Sequence, residues 1–212
     1  MYVGNNPVNY VDPTGHMPHL VKNITAQVYG RSGLPSGVVS AAVIGYNMVN
    51  GNSQELFNSF HDIAQINIVK ALNGNALVEV GLTGTRVDVV GSGAQAWEVK
   101  PLGGESAEPQ LLAAEANGLR RGKPLAPISG IEMGVPNLYM RIDFPAPGEA
   151  RYSFYKHNAK GQEVRVSSVG ATITIGAWMA AGFAVAGTIG GSLPLIEGAT
   201  VTLPALETLL AP

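Results

Sequence analysis

Ala76-Leu-Val-Glu-Val-Gly-Leu-Thr83, Thr85-Arg-Val-Asp-Val-Val90 and Gln95-Ala-Trp-Glu-Val-Lys100 are the stretch on which the fold turns. Each segment alternates side-chain character with a period of two, and Gly84 and Gly91-Ser92-Gly93 separate them, so the stretch predicts a three-stranded meander. Alternation places Arg86 and Asp88 on one face of the second strand, with Val87 and Val89 on the other. On the third strand it groups Glu98 with Lys100 and sets Trp97 and Val99 opposite. A turn centred near Ser92 or Gly93 pairs Asp88 with residue 96 or 98. The registers that parity allows therefore bring Asp88 beside Glu98 on one face.

Two carboxylates held side by side repel, and burial sharpens the repulsion, so the arrangement calls for a cation between them. Hard oxygen ligands select magnesium or manganese, which keep several waters and bridge to phosphate. Lys100 adds a positive charge where an attacking water or the phosphoryl oxygens would lie. Asp88, Glu98 and Lys100 are thus the candidate catalytic residues, with hydrolysis of a phosphodiester as the reaction class. The competing reading is a solvent-exposed sheet face carrying a weak cross-strand ion pair. Arg86 either steadies a phosphate or pairs with Glu98, and Trp97 reads as core.

Upstream, Asn52 or Ser53 is a good N-cap for a helix running to about Leu72, with Glu55 in its first turn. Leu56, Phe60, Ile63 and Asn67 fall on one side of that helix, and Glu55, Asn58 and Asp62 share the opposite edge. Asn73-Gly74-Asn75 ends it. Downstream, a second helix is expected from Ser106 as N-cap to near Gly118, with Pro109 in its first turn.

An aspartate on one strand and Glu-Val-Lys on the next, between two helices, resembles the PD-(D/E)xK, or restriction-endonuclease-like, nuclease superfamily over roughly residues 52–120. The resemblance implies an α+β (α/β-type sandwich) fold, a central mixed β-sheet flanked by helices. It implies a metal-dependent DNase, with an RNase on the same fold as a variant. In that family a glutamate of the first helix often joins the metal site. Glu55 is the matching candidate ligand and Asp62 the second. Val87 stands where the family commonly has proline before the aspartate.

The N-terminal run Tyr2-Val-Gly-Asn-Asn-Pro-Val-Asn-Tyr-Val-Asp-Pro-Thr-Gly15 is a packed series of turn formers. It closely resembles the last segment of the core-associated region of rearrangement-hot-spot (Rhs) and YD-repeat proteins. That resemblance implies a toxin tip cut from a larger shell just upstream of this motif, delivered into the cytoplasm of a recipient bacterium and neutralised by a cognate immunity protein. Residues 1–15 lack a basic start followed by an apolar run, so export by a secretory signal is not expected.

The chain has 212 residues, which predicts one main domain with appendages and excludes a multi-domain enzyme. Charged residues are 13%, against roughly 25% in an average soluble protein, while hydrophobic residues are 46%, so extensive disorder is not expected. Thirteen Lys+Arg against fifteen Asp+Glu give a net charge of -2, so contact with nucleic acid must come from a local patch. Zero cysteines exclude disulfides, iron–sulfur clusters, thiolate zinc sites and a thiol nucleophile.

Candidate phosphate contacts are Arg120, Arg121 and Lys123, with Arg141, Arg151, Lys156, Lys160 and Arg165 recurring through a later β-rich stretch. There, residues 138–144 and 151–156 are expected as strands joined by Pro145-Ala-Pro-Gly148. His157 is read as a loop histidine rather than an assisting acid or base, and His16 and His19 as solvent-facing rather than metal-binding. Pro18–Gly37 reads as linker and loop, and Gly37–Asn50 as a short buried helix or strand. The expected division is 1–36 remnant and linker, 37–166 nuclease-like core, and 167–212 apolar glycine-rich extension. No formally charged residue stands between Arg165 and Glu197. Residues 171–196 are accordingly a candidate for transient membrane contact, and a membrane-disrupting toxin acting through this tail is the alternative function.

Overall fold

The computed structural model of the chain describes residues 19–50 and 55–189. The Rhs-like leader, His16, the expected caps Asn52 and Ser53 and residues 190–212 lie outside the described residues. The described residues form an α+β protein, with five helices and a mixed eight-strand sheet on which helices pack. The chain divides into two units, Met1–Ser168 and Val169–Pro212. The second contributes helix α5 (Ser168–Ile189). Among the described residues no helix is long and apolar enough to cross a membrane.

Three helices open the first unit: α1 (His19–Arg31), α2 (Ser36–Asn50) and α3 (Glu55–Ala71). The linker-and-loop reading of Pro18–Gly37 is therefore corrected. The stretch lacks an obvious apolar stripe because two of its inward contacts are polar. Buried Lys22 reaches Asp62 and Glu79, while the Asn23 amide reaches the backbone of Val78. Ala26 and Tyr29 complete the buried face of α1. The expected amphipathic split of α3 is also corrected. Residues 62–69 are buried on every side, because α1 and α2 pack on α3 while β1 to β3 lie against it.

The meander forms as β1 (Ala76–Leu82), β2 (Thr85–Gly91) and β3 (Gln95–Pro101), the last two joined by a short 3-10 turn at Ser92–Ala94. Helix α4 (Glu108–Ala116) follows with Ala107, not the expected Ser106, at its N-cap; the Ser106 hydroxyl still accepts the Glu108 N–H at 3.2 Å, and Gly118 is left-handed at φ 85° just past the helix end. Strands β4 (Arg120–Arg121), β5 (Ile128–Glu132), β6 (Tyr139–Ala146), β7 (Glu149–His157) and β8 (Glu163–Val166) complete the sheet. The sequence predicts β6 and β7 with shorter bounds. β4, β5 and β8 are short or interrupted, and the sequence reading does not predict them.

Strand order is β1-β2-β3-β7-β6-β5, with β4 paired to β3 and β8 to β7. Strand β3 has two different partners along its outer edge: Gln95 and Ala96 run parallel to β4, and Glu98–Pro101 run parallel to Glu149–Tyr152 of β7. At the junction the Gly122 N–H donates to the Ala96 carbonyl at 2.8 Å, and the indole N–H of buried Trp97 donates to the Lys123 carbonyl at 3.1 Å. Trp97 lies flat on Gly122, where an added Cβ would sit 2.0 Å from the indole. Gly122→Ala is expected to destabilise the fold by about 2–3 kcal/mol through overpacking. An unchanged urea midpoint would refute the tightness of this contact.

Candidate functional site

The two-residue turn at Thr83-Gly84 fixes the first hairpin in the register Leu82↔Thr85, Val80↔Val87 and Val78↔Val89, which sets Glu79 across from Asp88. Between β2 and β3 the pairing runs Gly91↔Gln95 to Val89↔Trp97, and one step further sets Asp88 across from Glu98. There the strands part. Instead of a backbone carbonyl, Oδ2 of Asp88 accepts the Val99 N–H at 2.8 Å. On the other side of β3 the Glu98 N–H donates to Gly148 at 2.8 Å. Asp88 thus acts as a wedge in a fork whose far side is fixed to β7.

Asp88 and Glu98 are both buried, and the Lys100 ammonium lies 2.8 Å from Oε1 of Glu98 with its side chain 18% exposed. The expected trio does converge, and its face is not a solvated one. Oε2 of Glu98 is buried without a hydrogen-bond partner. Such an atom is costly in an apolar interior, and either a proton directed at the neighbouring Asp88 carboxylate or a bound cation would relieve it.

The other side of Asp88 is built by residues that the sequence reading did not single out. His61 and Gln65, one helical turn apart on α3, both turn toward it: His61 Nε2 lies 3.1 Å and Gln65 Nε2 3.2 Å from Asp88 Oδ1. Gln65 Nε2 also donates to Glu79 Oε1 at 2.7 Å. Glu79 holds a left-handed φ of 54° inside β1, where a non-glycine residue is rare. Its carboxylate meets Lys22 at 3.3 Å and Arg86 at 2.5 Å. His61 Nε2, Glu79 and Asp88 each offer a ligand atom, all within 4.8 Å of one another. The hairpin arithmetic from Gly84 would have located Glu79. The spacing of four between His61 and Gln65 was visible but carried no marker of direction.

Charge is distributed unevenly over this cluster. Burial alone would raise Asp88, but His61, the Val99 N–H and Lys100 outweigh it and hold the carboxyl below its ordinary range. Burial likewise opposes ionisation of Glu79, yet Lys22 and the Gln65 amide keep its pKa low. Burial disfavours the charged imidazole of His61, and the carboxylates of Asp88, Glu79 and Asp62 reverse that, leaving it raised. Glu98 takes the consequence: burial and then the Asp88 carboxylate beside it push it up to about 7, with Lys100 offsetting part. Tyr152 of β7 is pushed up to about 12 by burial and by Asp88.

A raised carboxyl destabilises the fold when it ionises. Below its ordinary 4.5 the Glu98 contribution is fully present, and it is lost as pH rises through about 7. The loss is on the order of 2–3 kcal/mol. Glu98→Gln, which mimics the protonated form, is expected to become more stable relative to wild type by that amount between pH 5 and 8 in chelator. Urea unfolding at the two values checks it, and a pH-independent difference would refute it.

Other expected site residues have different partners or side chains outside the described residues. Glu55 begins α3, and its side chain lies outside the described residues. Asp62 is no neighbour of Asp88 in this network; it is locked between Lys22 at 2.5 Å and the Asn47 amide at 3.1 Å. Arg86 pairs with Glu79, not Glu98. Arg121 is held by Glu108 and Glu115 of α4, which occupies its guanidinium, while Arg120 and Lys123 are exposed along the first half of β3. Arg141 pairs with Asp143 at 2.9 Å, and Arg151 with Glu149 and the Pro101 and Gly104 carbonyls. Lys160 and Arg165 are exposed. His157 ends β7 and its ring meets Tyr139 and Tyr155 edge-on.

In comparisons with known proteins, no family model matches the chain, and neither a curated protein nor a solved structure matches it significantly.

Proposed function

We propose that the protein is a metal-dependent nuclease of the PD-(D/E)xK type, a DNase that serves as the toxin tip of an Rhs-type effector and is held in check by an immunity protein. The observation that carries this reading is the convergence of Asp88, Glu98 and Lys100 at a fork in a mixed sheet, with Oε2 of Glu98 buried and unpartnered. The donor set fits magnesium or manganese, since Asp88 and Glu98 present hard carboxylate oxygens. Such a cation, when bound, supplies charge at the phosphoryl oxygens and acidity to a water.

The chain's own residues do the rest. Val99 fixes the Asp88 rotamer through its N–H, and Lys100, tied to Glu98, is positioned to meet charge developing on the phosphate. His61, with its side chain 26% exposed, stands at the solvent-facing side of the cluster, where a proton can be exchanged. Exposed Arg120 and Lys123 remain the candidate contacts to the nucleic-acid backbone. Plasmid DNA incubated with the protein and magnesium is expected to be cleaved, and chelator to stop it. Intact plasmid with magnesium or manganese at millimolar concentration would overturn the DNase reading, and cleavage of RNA alone would replace DNA as substrate.

A further inference from the structure

We infer that the side of Asp88 facing α3 is a separate seat for a borderline divalent cation such as Mn2+, ligated by His61 Nε2, Glu79 Oε1, Asp88 Oδ1 and the amide oxygen of Gln65. This goes beyond the nuclease reading and shares Asp88 and His61 with it.

Three ligand atoms from three elements, α3, β1 and β2, converge there. His61 Nε2 is 3.1 Å from Asp88 Oδ1 and 4.0 Å from Glu79 Oε1. Ligands around one ion at about 2.1–2.2 Å stand roughly 3 Å apart when adjacent and roughly 4 Å when opposite. Those two separations match a coordination shell, and all three ligand atoms lie within 4.8 Å of one another. The imidazole nitrogen sets the metal class, because nitrogen together with carboxylate oxygens favours manganese and later divalent ions over magnesium.

Gln65 is the independent observation. Its side chain is fully buried, and its Nε2 sits within 2.9 Å of His61 Nε2, 2.7 Å of Glu79 and 3.2 Å of Asp88. An amide nitrogen has two hydrogens, so it cannot serve three neighbours well. Its Oε1 meanwhile is buried with no partner. One half of the amide is overcommitted and the other idle. Turning the amide exchanges the two, and the reversed orientation is favourable only when a cation, not two bare carboxylates, faces the oxygen. Lys22 and Arg86 share Glu79 and limit the negative charge of the seat, which points to modest affinity.

The test is Mn2+ added to the full wild-type chain and read by electron paramagnetic resonance, with electron spin-echo modulation to detect coupling to an imidazole nitrogen. Bound Mn2+ with nitrogen coupling is the expected result. In His61→Ala the coupling should vanish, and in Glu79→Gln the affinity should fall by at least tenfold, with circular dichroism confirming both folds. Bound Mn2+ without nitrogen coupling in wild type, or no binding at millimolar Mn2+, overturns the seat without recourse to any variant. The two readings fail separately. Nitrogen coupling without plasmid cleavage leaves the seat standing and removes the nuclease, and cleavage without coupling does the reverse.

Discussion

Lys100→Met should lower magnesium-dependent plasmid cleavage roughly 1,000-fold at unchanged fold, the scale expected for removing a preorganised charge from a developing oxyanion. Methionine keeps an unbranched stem of similar length and deletes only the ammonium that sits 2.8 Å from Glu98. The fold tolerates this, because Glu98 has a second way to lose its charge: already pushed up to about 7, it takes up a proton when its cation leaves. Asp88→Ala should match the loss of cleavage, and it should also free the Val99 N–H, so its urea midpoint falls where that of Lys100→Met does not. Single-turnover cleavage measures the first quantity. Activity within tenfold of wild type in Lys100→Met would remove Lys100 from the chemistry.

The second large effect concerns stability. Lys22→Met should cost about 3–5 kcal/mol, because it strands buried Asp62 without the ammonium that faces it and leaves buried Glu79 with Arg86 as its close cation. With Lys22 gone, Asp62 keeps only the neutral Asn47 amide as a hydrogen-bond partner and the more distant charge of His61. Urea denaturation at pH 7 gives the number directly. A loss below about 0.5 kcal/mol, the scale of an exposed pair, would mean that the ion pair is solvated in the folded protein. A large loss would also place the boundary of the folding unit before α1, since a core beginning at residue 37 lacks Lys22 altogether.

How legible the molecule is in its sequence follows from which interactions are local. The meander, its turns and the facing of Asp88 and Glu98 were readable, because hairpin geometry and a period of two are set within a few residues. The ends of α3 and α4 were readable for the same reason, from Gly74 and Gly118. Helix α1 was not, since Lys22 and Asn23 read as surface residues until β1 and α3 are in place to receive them. Asp62 shows the converse failure. Its spacing from Glu55 and Asn58 suggested a polar edge, but Lys22 of α1 and Asn47 of α2 meet the carboxylate and make it a buried anchor. The fork between β2 and β3 was also out of reach, because it depends on β7 arriving in parallel register from fifty residues downstream.

The grip of Asn23 on β1 bears on how copies of the protein behave toward each other. That strand ends the series in the sheet, and the Asn23 amide both donates to the Val78 carbonyl and accepts its N–H, at 3.0 and 2.8 Å. A single side chain thereby mimics a neighbouring ribbon at the one point where a stranger would otherwise begin to zip on. Shortened forms lacking α1 would bare this border, and their failure would take the form of templated clumping as well as lost cohesion.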